Sequence, residues 1–435
     1  MGSAINTLIQ NAQIITMDEK NPILKGDIGI KGNVIEFVGK SNSFTPDRVK
    51  NVNGNIVMPG LINAHTHSPM TLLRCYADDL SLRDWLFDKI FPAEETLTEQ
   101  DVYWGSMLGC WEMIASGTTA FADMYFSNSG TARAVMESGQ RANICRALQC
   151  FDDCADFEKD SRMRQALDLY SEFNNAAQGK IIIDMSAHAV YTNTKKYLKF
   201  IAQTVEKLNC GVHLHISETR GENVDCVKKY KMTPTELFES CGFFNTRTIA
   251  AHSVYLTDDD ISIYKNKKIH IASNPTSNLK LASGIAPIGK YLNEGINVAL
   301  GTDGAASNNN LNMFEEIHLA ALLQKGVNEN PTEVSAFEAL KMGTVNGANA
   351  LGIKNCGILR RGWCADLIII DTDKPHLTPY YNAMSAIVYS AQAADVDSVM
   401  VAGEFLMENR ELKTIDTERV KFETKKIADR FASFI

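Results

Sequence analysis

The chain has 435 residues, of which 45% are hydrophobic and 22% charged, more apolar material than a disordered chain carries and enough for one large core. Its 52 acidic side chains outnumber 43 basic ones, for a formal net charge of -9; this argues against a nucleic-acid backbone as partner, because such partners select basic faces. Met1 to Asp18 mixes Asn, Gln and Thr among its apolar residues, unlike a signal peptide, and no stretch approaches the roughly 20 apolar residues that span a bilayer.

In chain order, the first segment alternates short apolar runs with turn residues: Asn6 to Met17, then Asp27 to Val38 broken at Lys31-Gly32-Asn33, then Asn55 to Met58. These predict strands and hairpins of a small β-structure. A different rhythm follows, in which apolar strands alternate with amphipathic helical stretches, as in a parallel sheet wound with helices. Its strands are Met58 to Ala64, Thr118 to Asp123, Ala142 to Gln149, Ile181 to Ala187, Gly211 to Ser217, Thr248 to His252, Ile269 to Ser273 and Asn297 to Gly301. Eight β-to-α units predict a closed (β/α)8 TIM-like barrel. A doubly wound open sheet fits less well, because the Gly-x-Gly-x-x-Gly turn expected after its first strand is absent. Beyond the barrel, Leu367 to Ile370 and Val396 to Val401 return to the short-strand texture of the N-terminus. The expected class is α/β, with a barrel over 58–354 and a small β-sandwich assembled from 1–57 and 355–435. The ten cysteines are scattered, with no Cys-x-x-Cys pair and a closest spacing of Cys150 to Cys154, and read as reduced thiols of a cytoplasmic protein.

Polar residues fall at the C-terminal ends of the barrel strands. His65 and His67 follow the first strand, His188 the fourth, and His215 and Glu218 the fifth; His252 closes the sixth and Asp303 follows the eighth. In a barrel these ends converge on one face, so residues far apart in sequence can share a site. His65-Thr66-His67 puts two imidazoles at i, i+2 on an extended segment, pointing the same way. With His215 and Asp303 the set becomes three nitrogens and one carboxylate oxygen, which suits zinc and also ferrous iron. An ion held there would lower the pKa of water toward neutrality. Glu218, three residues past His215, is a candidate proton carrier beside the metal; by itself it would read as a first-turn carboxylate of the next helix. His252 alone would be an ordinary strand-end histidine, and Asp303, between Gly301 and Gly304, a helix cap. Their place on the metal face recommends them for the site. His213 shares the strand face of His215 two positions deeper and reads as core or as support behind the metal, whereas His270, His318 and His376 fall away from this face.

The strings Met58-Pro59-Gly60-Leu61-Ile62-Asn63-Ala64-His65-Thr66-His67, Asp84-Trp85-Leu86, His215-Ile216-Ser217-Glu218-Thr219, Ser273-Asn274-Pro275-Thr276-Ser277-Asn278-Leu279-Lys280 and Gly301-Thr302-Asp303-Gly304-Ala305 resemble the amidohydrolase superfamily, and more closely its methylthioadenosine/S-adenosylhomocysteine deaminase branch. The resemblance spans most of the chain and extends to Ala365-Asp366-Leu367 in the terminal β-structure. It implies His65, His67, His215 and Asp303 as ligands of one divalent metal ion per subunit, with Glu218, His252 and Asp303 as the catalytic groups. Many such enzymes bridge two metals with a carboxylated lysine at the end of the fourth strand; here that strand reads Asp184-Met185-Ser186-Ala187-His188, without lysine, so one ion is expected.

The same likeness implies that His188 contacts a purine ring and that Glu94 accepts from ribose hydroxyls. Arg146 and Arg162 match the pair that receives an amino-acid carboxylate, with Arg164 as an alternative to Arg162, and Trp85 is either a pocket wall or core. The implied reaction is hydrolytic deamination at C6 of a 5′-modified adenosine, a small-molecule nucleoside. In it Glu218 protonates the adjacent ring nitrogen and Asp303 takes a proton from water. Triazine chlorohydrolases and guanine aminohydrolases share the His-x-His and Thr-Asp elements and are the rival reading. Glu94 and Arg146 discriminate against them, because a free base has neither ribose nor carboxylate. A non-catalytic scaffold would have lost ligands, and all are present. Relatives of this kind are often dimers or tetramers, so a homo-oligomer is an expectation of the resemblance alone.

Overall fold

In the computed structural model, which describes residues 5–40, 43–153 and 156–431, the alternating apolar positions near the N-terminus form β1 (Asn6–Ile15), β2 (Ile23–Lys31), β3 (Val34–Gly39), β4 (Arg48–Asn51) and β5 (Ile56–Pro59). The barrel strands follow as β6 (Leu61–Thr66), β7 (Thr118–Tyr125), β8 (Arg141–Arg146), β9 (Ile181–Ala187), β10 (Val212–Ile216), β11 (Thr248–His252), β12 (His270–Ser273) and β13 (Val298–Leu300). β14 (Leu367–Ile370), β15 (Val396–Val401), β16 (Glu404–Glu408) and β17 (Glu411–Leu412) complete the set.

Both ends of the chain supply one nine-stranded mixed sheet, ordered β17-β16-β15-β14-β5-β1-β2-β3 with β4 paired to β1. Its inward residues, among them Ile9, Ile28, Ile35, Val57, Leu367 and Met400, form a core of their own. The sheet curls around that core until the turn at Gly403 meets the turn at Gly32; a Cβ on Gly403 would lie 1.9 Å from the Gly32 carbonyl oxygen. Where the sequence suggests one strand from Met58 to Ala64, there are two. Met58 and Pro59 pair with Ile368 and Leu367 in the terminal sheet, and the barrel begins only at Leu61.

β6 to β13 pair in sequence order, every ladder parallel. They are buried at every position but Ile182 in β9 and His270 in β12; strands covered on both faces therefore read as apolar runs instead of alternating ones. The barrel closes between β13 and β6 through the Asp303 N–H to the His65 carbonyl at 3.0 Å and the Thr302 N–H to Asn63 Oδ1 at 3.0 Å. Barrel and sheet are tied by a buried fork: Arg141 donates through Nε and a terminal nitrogen to Asp366 at 2.6 and 3.1 Å, and Asp366 also accepts the Ala402 N–H at 2.7 Å. The last helix, Thr417–Phe431, was not legible among the C-terminal strand signals. It lies on the barrel helix Glu99–Ala115, with Arg419 over the Trp104 ring at 5.2 Å and Arg430 paired to Asp101 at 2.6 Å. Among the described residues no helix is long and apolar enough to cross a membrane. The nine described cysteines are free thiols; Cys154 lies outside the described residues.

Candidate active site

The C-terminal strand ends surround a cavity. His67, His215 and Asp303 line its floor beside Glu218, His252 and His188, and His65 lies beneath them, fully buried. Nε2 of His65 and of His67 stand 3.3 and 3.2 Å from Asp303 Oδ1. His215 joins from β10, across the barrel, its ring centroid 4.9 Å from that of His65 and 5.4 Å from that of His67.

The donor set fits a divalent cation. His67 donates Nδ1–H to the Met124 carbonyl, and His215 donates Nδ1–H to the His188 carbonyl at 2.6 Å. Both rings therefore turn Nε2 toward the cluster, the arrangement by which a carbonyl behind a histidine fixes which nitrogen faces an ion. His65 Nε2 is buried without a hydrogen-bond partner. Burial lowers His65 to about 4 and holds His215 well below the ordinary histidine value, so both offer lone pairs at neutral pH. Burial opposes charge on His67 too, but the facing Asp303 carboxylate outweighs it and raises the ring to about 9. Asp303 stays ionised: burial works against it, and the two histidines hold it well below the usual carboxylate range. Its backbone is left-handed at φ 62°, which turns the carboxylate inward, where Oδ2 accepts from Ser277 at 2.6 Å and Ser307 at 3.0 Å.

Glu218 is buried beside this cluster. Ser283 donates to its Oε1 at 3.1 Å, His252 Nε2 lies 3.8 Å from its Oε2, and burial raises its pKa. Its backbone N–H is held by Glu222 at 2.7 Å. His252 is pinned from behind, Nδ1 to Asn278 Oδ1 at 2.8 Å. His188 stays neutral, lowered to about 3 by burial, with its ring 4.8 Å from that of His215.

The segment after β6 folds over the cavity and contributes Leu82, Trp85, Leu86, Phe91 and Glu94 to its wall. Trp85 is thus a wall residue. Both Glu94 carboxylate oxygens are buried without partners, and burial raises that group to about 7.

The arginines sit farther out. Arg146, at the end of β8, donates Nε–H to Gln165 at 3.0 Å and lies over the Phe126 ring at 5.4 Å. Arg162 is exposed and reaches back to the Gln149 carbonyl at 2.5 Å. The cavity wall includes Ala147 and Phe126 but neither guanidinium. Burial, and after it the positive charge of Arg162, lowers Arg146 to about 10. Two polar wall residues were missed from sequence, Tyr125 and Tyr191. Ending the second barrel strand at Asp123 hid Tyr125; two further residues of alternation put it on the same face as Asp123.

A family model of amidohydrolases matches residues 56–406. The 5-methylthioadenosine/S-adenosylhomocysteine deaminase of Acetivibrio thermocellus is 50% identical over 435 residues, covering 98% of this chain and 99% of that one. An adenosine deaminase from Xanthomonas campestris, solved with bound zinc, superposes with a TM-score of 0.93 at 31% identity over 99% of each chain. The atrazine chlorohydrolase of Arthrobacter aurescens, complexed with zinc, shares the fold at a TM-score of 0.90 and 24% identity over 97% of this chain and 100% of that one. With the histidine and carboxylate cluster, the eight-stranded barrel and these likenesses together, the chain belongs to the amidohydrolase family, in the branch of the 5-methylthioadenosine/S-adenosylhomocysteine deaminases.

Proposed function

We propose that the chain is a cytoplasmic, single-metal deaminase of 5′-modified adenosines, converting S-adenosylhomocysteine or 5′-methylthioadenosine to the inosine analogue and ammonia. His65, His67, His215 and Asp303 would hold the ion, zinc or ferrous iron. The ion supplies Lewis acidity that brings the pKa of water toward neutrality. The observation that carries the reading is the unpaired, buried Glu94 carboxylate facing a histidine and carboxylate cluster across one cavity. A carboxylate with two open oxygens suits the vicinal hydroxyls of ribose, for which a free base has no equivalent.

Asp303 is ionised and accepts the proton of the attacking water. Burial raises the pKa of Glu218, which favours its protonated form, and Glu218 delivers a proton to the ring nitrogen beside the attacked carbon. Ser283 fixes its carboxyl orientation. His252, held by Asn278, faces the same reacting centre, where a fixed dipole lowers the barrier most. His188 borders the purine space. Arg146 and Arg162 would meet a 5′-linked carboxylate beyond Phe126, a role suited to a guanidinium fork.

The test is ammonia release by zinc-replete protein from S-adenosylhomocysteine, 5′-methylthioadenosine, adenosine, adenine, guanine and a chlorotriazine, with Glu218→Gln alongside. Turnover confined to the nucleosides, and a loss of about 100- to 10,000-fold in kcat for the variant, are expected. Turnover of only free bases or the triazine would overturn the substrate and leave the metal site standing.

A further inference from the structure

Three polar groups on the cavity wall have no hydrogen-bond partner although each is buried: the Glu94 carboxylate, the Tyr125 hydroxyl and the Trp85 indole nitrogen. Buried polar atoms in folded proteins are almost always bonded, so orphans that line a cavity mark what its occupant supplies. Tyr125 and Glu94 belong together. Each shifts the other's ionisation, so they face one another, yet neither Glu94 oxygen makes a hydrogen bond of ordinary geometry with the hydroxyl. The two come from different parts of the fold. Tyr125 ends β7, paired in register with Arg146 and 2% exposed, whereas Glu94 sits on the short helix Phe91–Glu94 of the segment that covers the cavity.

We infer that the Tyr125 hydroxyl is a second sugar-binding group, taking a ribose hydroxyl jointly with Glu94 and so joining the covering segment to the barrel through the substrate. This rests on the nucleoside reading above. The donor count supports it. An ionised carboxylate only accepts, so a ribose hydroxyl that donates to Glu94 still has open lone pairs on its oxygen. A phenol O–H converging on the same point fills one of them. A hydroxyl is then bonded from both sides, and a deoxy analogue leaves two buried polar groups unpaired, the situation in which sites reject a missing hydroxyl strongly.

The experiment uses the full-length, zinc-loaded protein and the variant Tyr125→Phe, with 5′-methylthioadenosine and its 2′-deoxy and 3′-deoxy counterparts as substrates. On the ribonucleoside KM should rise on the order of tenfold with kcat little changed, the loss of one hydrogen bond made to bound substrate. On the deoxy analogue lacking the shared hydroxyl, wild type and variant should have the same KM. The thermal midpoint of the free variant should equal or exceed that of wild type, because an unsatisfied hydroxyl is removed. An equal rise in KM on all three substrates means packing, and no change on any means that the hydroxyl touches no sugar; either overturns the inference. If the wild type turns over none of the three, the nucleoside reading itself fails and takes the inference with it.

Discussion

His65 makes no contact with water, and each of its ring nitrogens faces a different task. Nδ1 meets Nε2 of His213 at 2.9 Å, while Nε2 points at the ligand cluster. Burial keeps both rings neutral at pH 7, lowering His65 to about 4 and His213 well below the ordinary value. One proton lies between them. For His65 Nε2 to present a lone pair to an ion, that proton must sit on its own Nδ1 and be donated to His213. His213 thus selects the ligating tautomer, the part a carbonyl plays for His67 and His215. Replacing His213 with alanine should lower zinc affinity about 10- to 100-fold, measured by competition with a chromophoric chelator. Wild-type affinity in the variant would show that His213 only fills space. The cluster was legible because histidines and an aspartate at strand ends need only the barrel topology to converge. His213 could be ranked as core or support but not decided between them, since the choice depends on which ring lies within 3 Å. The positions of Arg146 and Arg162 were equally out of reach, because a guanidinium on a long side chain can point into a cavity or across it.

Strand ends decide the site, so the seam that closes the barrel matters more than any single helix. Thr248 to His252 and Leu367 to Ile370 were legible to the residue, since apolar runs bounded by polar residues leave little freedom in where a strand starts and stops. The covering segment after β6 was not legible. Its turns, Ser68–Leu73, Leu82–Asp84, the π-helical Trp85–Ile90 and Phe91–Glu94, are too short to carry a period, and contacts with the barrel rim hold them. Lys280, which pairs with Asp78 and Asn309, is one such tie. At the seam, Gly301 approaches β6 so closely that a Cβ there would lie 2.7 Å from the backbone N and O of His65 and 2.5 Å from Asn274 Oδ1. Two of these atoms are backbone, so no side-chain movement alone can relieve the contact. Gly301→Ala must push β13 away from β6, at a cost of about 1–3 kcal/mol, and carries Asp303 with it. A lower thermal midpoint together with less than one zinc bound per chain is expected. Full zinc occupancy in that variant would mean that the Asp303 turn holds its place independently of the seam.

At the scale of the whole molecule, the protein buries several ionisable groups whose charged forms burial disfavours. Histidines and carboxyls act in opposite directions on stability. His188 and His270, lowered by burial to about 3 and about 4, protonate only in the unfolded chain as pH falls below 6.5; their contribution is present above that value and lost in acid. Glu222 and Glu316 are the reverse. Burial raises both to about 8, with Glu218 adding to the effect at Glu222. Their folded forms hold a proton that the unfolded chain releases near 4.5. That contribution is complete below about 4.5 and disappears as pH rises through about 8. Between 4.5 and 6.5 the two sets offset one another. Above 6.5 the histidine contribution is constant and only the carboxyls still change, joined by Glu94, raised to about 7. The zinc-loaded protein should therefore lose stability from pH 6.5 to 8.5, on the order of 2 kcal/mol for each of Glu222 and Glu316. Calorimetry across that window reads this as a thermal midpoint falling by several degrees. A midpoint that is level or rises would mean that Glu222 and Glu316 are ionised in the folded protein, each compensated by the donors around it: the Glu218 N–H for the first, the Asn308 amide and Thr276 N–H for the second. The net charge of -9 is not a substitute for this argument, since surface charge is screened within about 10 Å at 0.1 M salt while buried groups are not.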